Sequence, residues 1–403
     1  MKASPGKSAF SKEVLAFIAK HENDDPYLLA LKPSPFSDIS IKKIVQQVQG
    51  RKVAKRKFPF LLNFDQYQYP VKESLEQASS EFLARYKSQI IGGNKMVDLT
   101  GGMGIDTYIL GQEFEEVSYV EPNSELYEIT GENFETLGFS KCKRYNTTCE
   151  AFLSTNTEQF DWAYIDPSRR ISGTRKISIS NYAPNIVELK EDLTSVAKNV
   201  MVKLSPMQDI TECIDVLNNV VQVWVISLQK EVKELLLHLS RDNIVSGPKI
   251  SVVDLNKNGE TTFSYSFEDR TCLPEFSDLK RFLFLPGAAL VKSELHNRYA
   301  AENKLSKLHP NTQLFTSDHE VKNYLGRTFE VIKSIRLNPK EIRQILPDMK
   351  VNVITKNFPL KPQEIAKKYK LKDGGDYYLI AFTSLGDKRE YVVCKKKLQK
   401  YEK

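Results

Sequence analysis

Long apolar runs are missing from this 403-residue chain: nowhere do about 18 consecutive apolar residues occur, the length that a membrane-crossing helix needs. The opening residues, MKASPGKSAF, lack the apolar core of an export signal, so a soluble, unsecreted, cytoplasmic protein is expected. Cysteine is scarce. Cys142, Cys149, Cys213, Cys272 and Cys394 form no C-x-x-C pair, and no histidine stands near them at zinc spacing. Reduced thiols without a metal site are therefore predicted. His238, His296, His309 and His319 show no pairing pattern and are expected to be structural or exposed. A glycine turn at residues 101–104 lacks the Gly-Lys-Ser/Thr of a Walker loop, which removes one class of nucleotide site there.

Hydrophobic residues make up 41% of the chain and aromatics 10%, ample for buried cores. The length predicts two to four structural units. Residues 331–403 carry 18 lysines and arginines against 8 acids, while the preceding 330 residues carry 40 against 43, so the whole basic excess sits at one end. A second basic run, residues 42–57, has seven Lys/Arg and no acid. Clustered positive charge is the footprint of a polyanion partner, with a solvated lysine-rich face as the plainer alternative.

Residues 1–90 read as helices. SKEVLAFIAKH has helical spacing, and VKESLEQASSEFLARYKSQII sets Leu75, Ala78, Phe82, Leu83 and Tyr86 on one face of what reads as a single helix. From 91 to 268, five strand-type runs (KMVDLT, VSYVE, FDWAYID, NVMVKLS, QVWVISL) alternate with helical stretches, which predicts a parallel, doubly wound α/β sheet. A helix is expected at KELLLHLS, then a β-hairpin in KISVVDLNKNGETTFSYSF. Residues 269–327 read as a small mixed unit, and 328–403 as an α+β domain of order β-α-β-α-β-β.

The strongest motif is KMVDLTGGMGIDT, residues 95–107, a strand, a glycine turn and a helix start. Gly101, Gly102 and Gly104 permit positive φ and bare the backbone to a ligand. A dinucleotide fingerprint beginning at Gly102 fails, because Thr107 stands where its third glycine belongs. The remaining option is the methyltransferase loop, an acid just before G-x-G. S-adenosylmethionine has no phosphate but carries an ammonium and a sulfonium, and Asp98 supplies the carboxylate such cations need. The next strand ends in Glu121, 17 residues beyond Gly104, where an acid accepts hydrogen bonds from ribose hydroxyls. Spacing back from Leu153 puts Thr148 at the adenine contact, with Asn146 second.

FDWAYIDPSRR places Asp166, Pro167, Arg169 and Arg170 at the carboxyl end of the fourth strand, where ligands of open α/β sheets bind. Pro167 stiffens the turn, Asp166 is the candidate for holding the methyl acceptor, and the arginines suit an anionic substrate backbone. No cysteine follows this motif, which argues against covalent pyrimidine chemistry. Lys203, ending the fifth strand, lies near the same rim.

With these motifs the chain resembles bacterial class I methyltransferases that carry a C-terminal THUMP-like domain. The matching residues are Glu76-Gln77-Ala78-Ser79-Ser80-Glu81 with Tyr86-Lys87, VDLTGGMGIDT, and DPSRR in place of Asp-Pro-Ala-Arg-Arg. LPGAALVK, LHPNTQLFTSD and TKNFPLKPQEIAKKYKL complete the match, which spans roughly residues 70–403. The resemblance implies a helical N-terminal part, a Rossmann-like methyltransferase sheet, a small ferredoxin-like unit at 269–327 and a THUMP-like domain at 328–403. It also implies that Gln77 and Ser80 help to close over S-adenosylmethionine. The string Asp98, Thr100, Gly102, Gly104, Asp106 looks like that of a guanine-N2 ribosomal RNA methyltransferase family. Amino-directed enzymes carry Asn/Asp-Pro-Pro-Tyr, however, and Arg169 occupies the aromatic position, so the acceptor atom stays open.

The expected function is thus methyl transfer to structured RNA, gripped through the basic C-terminal domain and the 42–57 run. A protein or small anionic substrate, or RNA binding without catalysis, are the alternatives.

Overall fold

The computed structural model describes residues 9–397 apart from 170–177, 244, 246, 257–258, 337 and 347. The chain divides into two units. One is Met1–Leu204 with Thr211–Val220 and Leu237–Ile244; the other is Ser205–Ile210 with Val221–Leu236 and Val245–Lys403.

The first unit opens with helices α1 (Lys12–Lys20), α2 (Pro26–Ala30) and α3 (Ile41–Lys57). Each starts at a side-chain cap, Ser11, Asp25 and Ser40, that accepts a hydrogen bond from an otherwise orphaned N–H. Phe10, Val14, Ile18, Leu29, Ile44, Val45 and Val48 pack together between them. The seven cations of α3 are largely used inside the fold. Arg51 and Lys55 pair with Glu22, Lys52 reaches the Asp24 carbonyl, and Lys57 holds the carbonyls of Leu75 and Glu76.

The single helix expected after residue 71 is two, α4 (Lys72–Gln77) and α5 (Glu81–Ser88). The break falls at Ala78-Ser79-Ser80, where Ser80 caps α5 through Leu83 N–H. A serine at a helix start competes for backbone hydrogen bonds better than it sustains a helix interior, and here that local preference wins.

The sheet core of this unit comes from β1 (Lys95–Asp98), β2 (Glu116–Val120), β3 (Cys142–Tyr145), β4 (Phe160–Ile165) and β7 (Ala197–Leu204), ordered β7-β4-β1-β2-β3. Every one of these neighbours is parallel. The helices between them are α6 (Ile105–Leu110), α7 (Ser124–Thr136), α8 (Cys149–Thr155) and α9 (Ile186–Val196). Strand residues 96–98 and 162–165 are buried on both faces, as the near-continuous apolar runs of a covered parallel sheet require. A two-strand ribbon, β5 (Ser168–Arg169) with β6 (Tyr182–Ala183), follows β4.

After α10 (Ile210–Leu217) and β8 (Val220–Leu228), the stretch read as a helix at KELLLHLS is instead strand β9 (Glu231–Ser240), next to β7. Leu235, Leu236 and Leu237 are all fully buried, so both faces of the segment are covered. An apolar run of that length satisfies a strand as well as a helix, and periodicity alone does not separate the two.

In the second unit β8 pairs in parallel with β10 (Lys249–Asn256), which forms the expected hairpin with β11 (Gly259–Ser266). A seven-stranded sheet follows, ordered β13-β14-β12-β15-β18-β17-β16. Its strands are β12 (Phe282–Pro286), β13 (Ser306–His309), β14 (Thr312–Ser317), β15 (Gly326–Ser334), β16 (Asn352–Lys356), β17 (Tyr377–Ser384) and β18 (Lys388–Lys397). Helices α11 (Ala288–Lys292) and α12 (His296–Glu302) follow β12, while α13 (Pro339–Ile345) and α14 (Pro362–Tyr369) flank β16. Leu283, Leu314, Phe329, Ile380 and Phe382 fill one face, and Ile342, Leu346, Ile365 and Leu379 the other. Among the described residues no helix is long and apolar enough to cross a membrane.

His238 sits on β9 with Nε2 2.9 Å from Asn199 Oδ1 and its ring 4.8 Å from that of Trp162. Burial pushes its pKa down from 6.5 to about 4. The unfolded chain therefore binds this proton at higher pH than the folded one, so its contribution is intact above 6.5 and is lost as the pH falls toward 4. Urea unfolding should show stability dropping across that window by up to about 1.4 kcal/mol per pH unit from this residue. His238→Gln should flatten that part of the profile; an unchanged slope would assign the acid sensitivity elsewhere.

Candidate active site

The turn from β1 to α6 is built around close approach. The backbone N–H of Gly101 donates to Val120 O at 2.9 Å, and a Cβ on Gly101 would lie 2.1 Å from the Tyr119 ring. Gly104, at φ 76°, turns the chain into α6 in a left-handed conformation that side chains disfavour. The Gly102 carbonyl accepts from Tyr119 Oη at 2.6 Å and Thr130 Oγ1 at 3.2 Å.

Asp98 is buried at the end of β1. Its Oδ1 accepts from Thr100 N–H at 3.0 Å and its Oδ2 from Thr107 Oγ1 at 2.7 Å. Burial pushes its pKa up to about 7; these two hydrogen bonds oppose the rise, and the charges of Asp106 and Asp166 add to it. Glu121, at the end of β2, accepts from Gly102 N–H at 2.9 Å and from Asn123 N–H at 2.8 Å. Its pKa is also raised by burial, against those two bonds. The two acids thus flank the turn from adjacent strand ends.

Beside Asp98, between the glycine turn and the α4–α5 break, lies a cavity of approximately 140 Å³; Glu121 stands outside its lining. Gln77, Asp98, Thr100, Gly101, Gly102, Asp106 and Asp166 all line it. So do Ser79, Leu126 and Tyr164, which the sequence reading did not single out. Leu126 offers an apolar wall from the first turn of α7. Ser80 is at the cap of α5, outside the lining.

The cavity wall includes a buried polar cluster. Lys87, fully buried on α5, places Nζ 2.8 Å from Asp106 Oδ1, 2.6 Å from Ser79 Oγ and 3.1 Å from Tyr164 Oη. Asp106 Oδ2 accepts from Ser79 Oγ at 2.7 Å and Tyr164 Oη at 2.8 Å. Burial acts to raise the Asp106 pKa, but the charges of Lys87 and Lys203 and the Lys87 and Ser79 hydrogen bonds hold it below its ordinary value. Asp106 therefore lines the cavity as an anchor whose oxygens are already engaged. Ser79 and Lys87 stand inside the string Glu76–Lys87 that carries the family resemblance; the serine pair at 79–80 was the available signal of a helix break.

Asp166 is held from three sides. Its N–H donates to Thr100 Oγ1 at 2.7 Å, Pro167 follows it, and Lys203 forms an ion pair with its carboxylate. The β4–β7 register, with Ile165 opposite Val202, sets Asp166 and Lys203 side by side at the ends of parallel strands. Arg169 is exposed on the β5–β6 ribbon opposite Tyr182. Arg170 lies outside the described residues.

Thr148 is not part of this assembly. It is exposed, caps α8 through Ala151 N–H and does not line the cavity. Asn146, the second choice, lies nearer the site: its Nδ2 donates to the Glu121 carbonyl at 2.8 Å and its Oδ1 accepts from Ser124 Oγ at 2.9 Å. Counting back from Leu153 overlooked that a threonine before a helix is taken up by capping.

Residues 282–324 match a family model described as a ferredoxin-like domain, and residues 326–396 one described as THUMP domain-like. Over 319 residues the chain is 22% identical to an uncharacterized S-adenosylmethionine-dependent methyltransferase of Mycobacterium tuberculosis, spanning 78% of this chain and 84% of that one. The same match is found in a second strain of that organism. A crystal structure of a candidate methyltransferase from Porphyromonas gingivalis W83 is similar with a TM-score of 0.86 and 26% identity, covering 96% of this chain and 100% of that one. By its fold and its relatives the chain is S-adenosylmethionine-dependent methyltransferase-like. Its C-terminal part consists of ferredoxin-like and THUMP-like domains.

Removing one partner of a buried ion pair strands the other charge, so Lys87→Met should destabilise the protein by about 3–5 kcal/mol in denaturant unfolding. Lys87→Met combined with Asp106→Asn keeps an acceptor for the two hydroxyls and should recover most of that loss. A double variant as unstable as the single one would show that the pair's charge is not the source.

Proposed function

We propose that this protein is an S-adenosylmethionine-dependent methyltransferase that acts on structured RNA by direct methyl transfer to a base. The observation that carries the reading is the cavity at the glycine turn, which joins carboxylates from β1 and β4 in one water-accessible space without any phosphate-binding lysine loop. The donor supplies an electrophilic methyl group on a sulfonium, so the protein's work is positioning. Asp98 would face the donor's positive charge, Glu121 its ribose, and Gln77 its open side. Asp166 would hold the acceptor, with Pro167 fixing the turn and Arg169 reaching a substrate phosphate.

RNA as the substrate is supported by the THUMP domain-like match at 326–396 and by where the basic excess is displayed. On α14 Ile365 is buried, while Lys361, Lys367, Lys368 and Lys370 are exposed around that helix. Such a face neutralises backbone phosphates and releases counterions, which makes binding steeply salt-dependent.

Two measurements test the reading. Methyl transfer from labelled S-adenosylmethionine into RNA from cells lacking the protein should occur with wild type and fail with Asp98→Ala. Glutamates at Lys361, Lys367 and Lys368 should weaken RNA binding and lower the slope of log affinity against log salt by about 2, at roughly 0.7 per lost contact. Transfer to protein or to small anions with no label in RNA would replace the substrate assignment.

A further inference from the structure

Helix α4 walls the cavity: Ser74 and Gln77 line it, and Ala78 and Ser79 continue the wall past the helix end. The helix is poorly equipped to hold itself there. It has six residues and no side-chain cap at its start, and helices so short are marginal on their own. At its end Ser74 O accepts from Ala78 N–H at 3.1 Å. The chain then turns away at Ala78, with φ −59° and ψ 150°, so the carbonyls of Leu75 and Glu76 lie beyond the last bond of the helix. Lys57, the last residue of α3, meets both: its Nζ donates to Leu75 O at 3.0 Å and to Glu76 O at 2.5 Å. The far end of this strap is fixed by Ser79 through Lys87 and Asp106. Lys57 supplies the other anchor, from outside the cavity lining.

A lysine at a helix C-terminus can satisfy carbonyls that the helix itself leaves without donors. Resting on the cofactor-site reading above, we propose that Lys57 is a positioning residue for the cavity. Its ammonium caps α4 from a neighbouring helix, keeps Gln77 in the wall, and so sets how tightly the cavity grips an adenosyl ligand. Lys57 touches neither the ligand nor a reacting atom; its effect passes through the strap.

The same surroundings make the grip sensitive to pH. Lys57 faces Arg56 on its own helix, Glu76 on α4, Asp106 on α6 and Lys203 on β7. Burial, then Lys203 and Arg56, push its pKa from 10.5 down to about 8, while Glu76 and Asp106 act against the fall. The ammonium is therefore present below about 8 and is lost as the pH rises through that value. A neutral amine still reaches the two carbonyls, but without the charge that makes such a bond roughly twice as strong. A ligand that needs the strap in place favours the protonated lysine, so its affinity falls as the pH passes about 8.

Two measurements on the full chain test this: calorimetry with S-adenosylhomocysteine between about pH 6.5 and 9.5, and amide hydrogen exchange of residues 72–79 in the free protein. At neutral pH Lys57→Met should weaken binding by about ten- to a hundredfold, the range expected for lost hydrogen bonds to a charged group. Its exchange should rise in residues 72–79 while α5 and the sheet stay protected. Lys57→Arg keeps a charged donor at every pH. It should restore neutral affinity and hold it above pH 8, where the wild type loses up to about tenfold per pH unit. The ligand's own amine titrates alike in both proteins, so the ratio of their affinities reads Lys57 alone. Wild-type affinity in Lys57→Met, exchange that rises everywhere alike, or an alkaline fall that Lys57→Arg retains would overturn the proposal. Absence of binding by the wild type at every pH would overturn the cofactor-site reading itself, a separate and recognisable result.

Discussion

The buried contact between Lys87 and Asp106 is the constraint on which the cavity depends. An ammonium and a carboxylate removed from water are tolerated only when geometry and added hydrogen bonds offset their lost hydration. Here Ser79 and Tyr164 hydroxyls complete the set. The four residues come from the α4–α5 break, α5, α6 and β4, so one cluster fixes the helical N-terminal segment, the helix after the glycine turn and β4 against each other. Satisfied polar networks in a low dielectric rigidify what they join. The N-terminal helices are in this way part of the cavity wall, through Ser74, Gln77, Ala78 and Ser79.

Sheet register does the equivalent work at the opposite wall. Parallel pairing of β4 and β7 brings two strand ends level, and the residues one step beyond the last registered pair, Asp166 and Lys203, are then neighbours by construction. Thr100 adds a cross-link from the glycine turn to the Asp166 backbone. The glycine turn and the end of β4 are thus connected by a hydrogen bond, and a shift in one is felt by the other. Under the proposed function, that connection is the pre-positioning an in-line methyl displacement rewards.

Much of this was legible in sequence because it rests on short-range rules. Strand, glycine turn and helix in 95–107, the acid ending β2 and the Asp-Pro after β4 each declare themselves within a dozen residues. The C-terminal order β-α-β-α-β-β was readable for the same reason. What escaped depends on long-range partners. Lys87 and Lys203 are ordinary lysines until the fold sets an aspartate beside each. The KELLLHLS stretch is strand β9 and not a helix because Leu235–Leu237 is covered on both faces, a property of its neighbours. Thr148 and Ser80 cap α8 and α5, since a hydroxyl at a helix start finds its nearest donor in its own backbone.

Charge counting shows the same divide between composition and display. The 42–57 run holds seven cations and no acid, yet Glu22 takes two of them and backbone carbonyls take Lys52 and Lys57. A lysine committed to a carbonyl at a helix end stabilises that end and is poorly placed to meet a phosphate. The C-terminal surplus differs in kind: α14 buries Ile365 and turns Lys367 and Lys368 outward. Net charge predicts a polyanion partner only after the cations spent on the fold are set aside, and by that measure the electrostatic footprint of this protein lies mainly on its C-terminal domain.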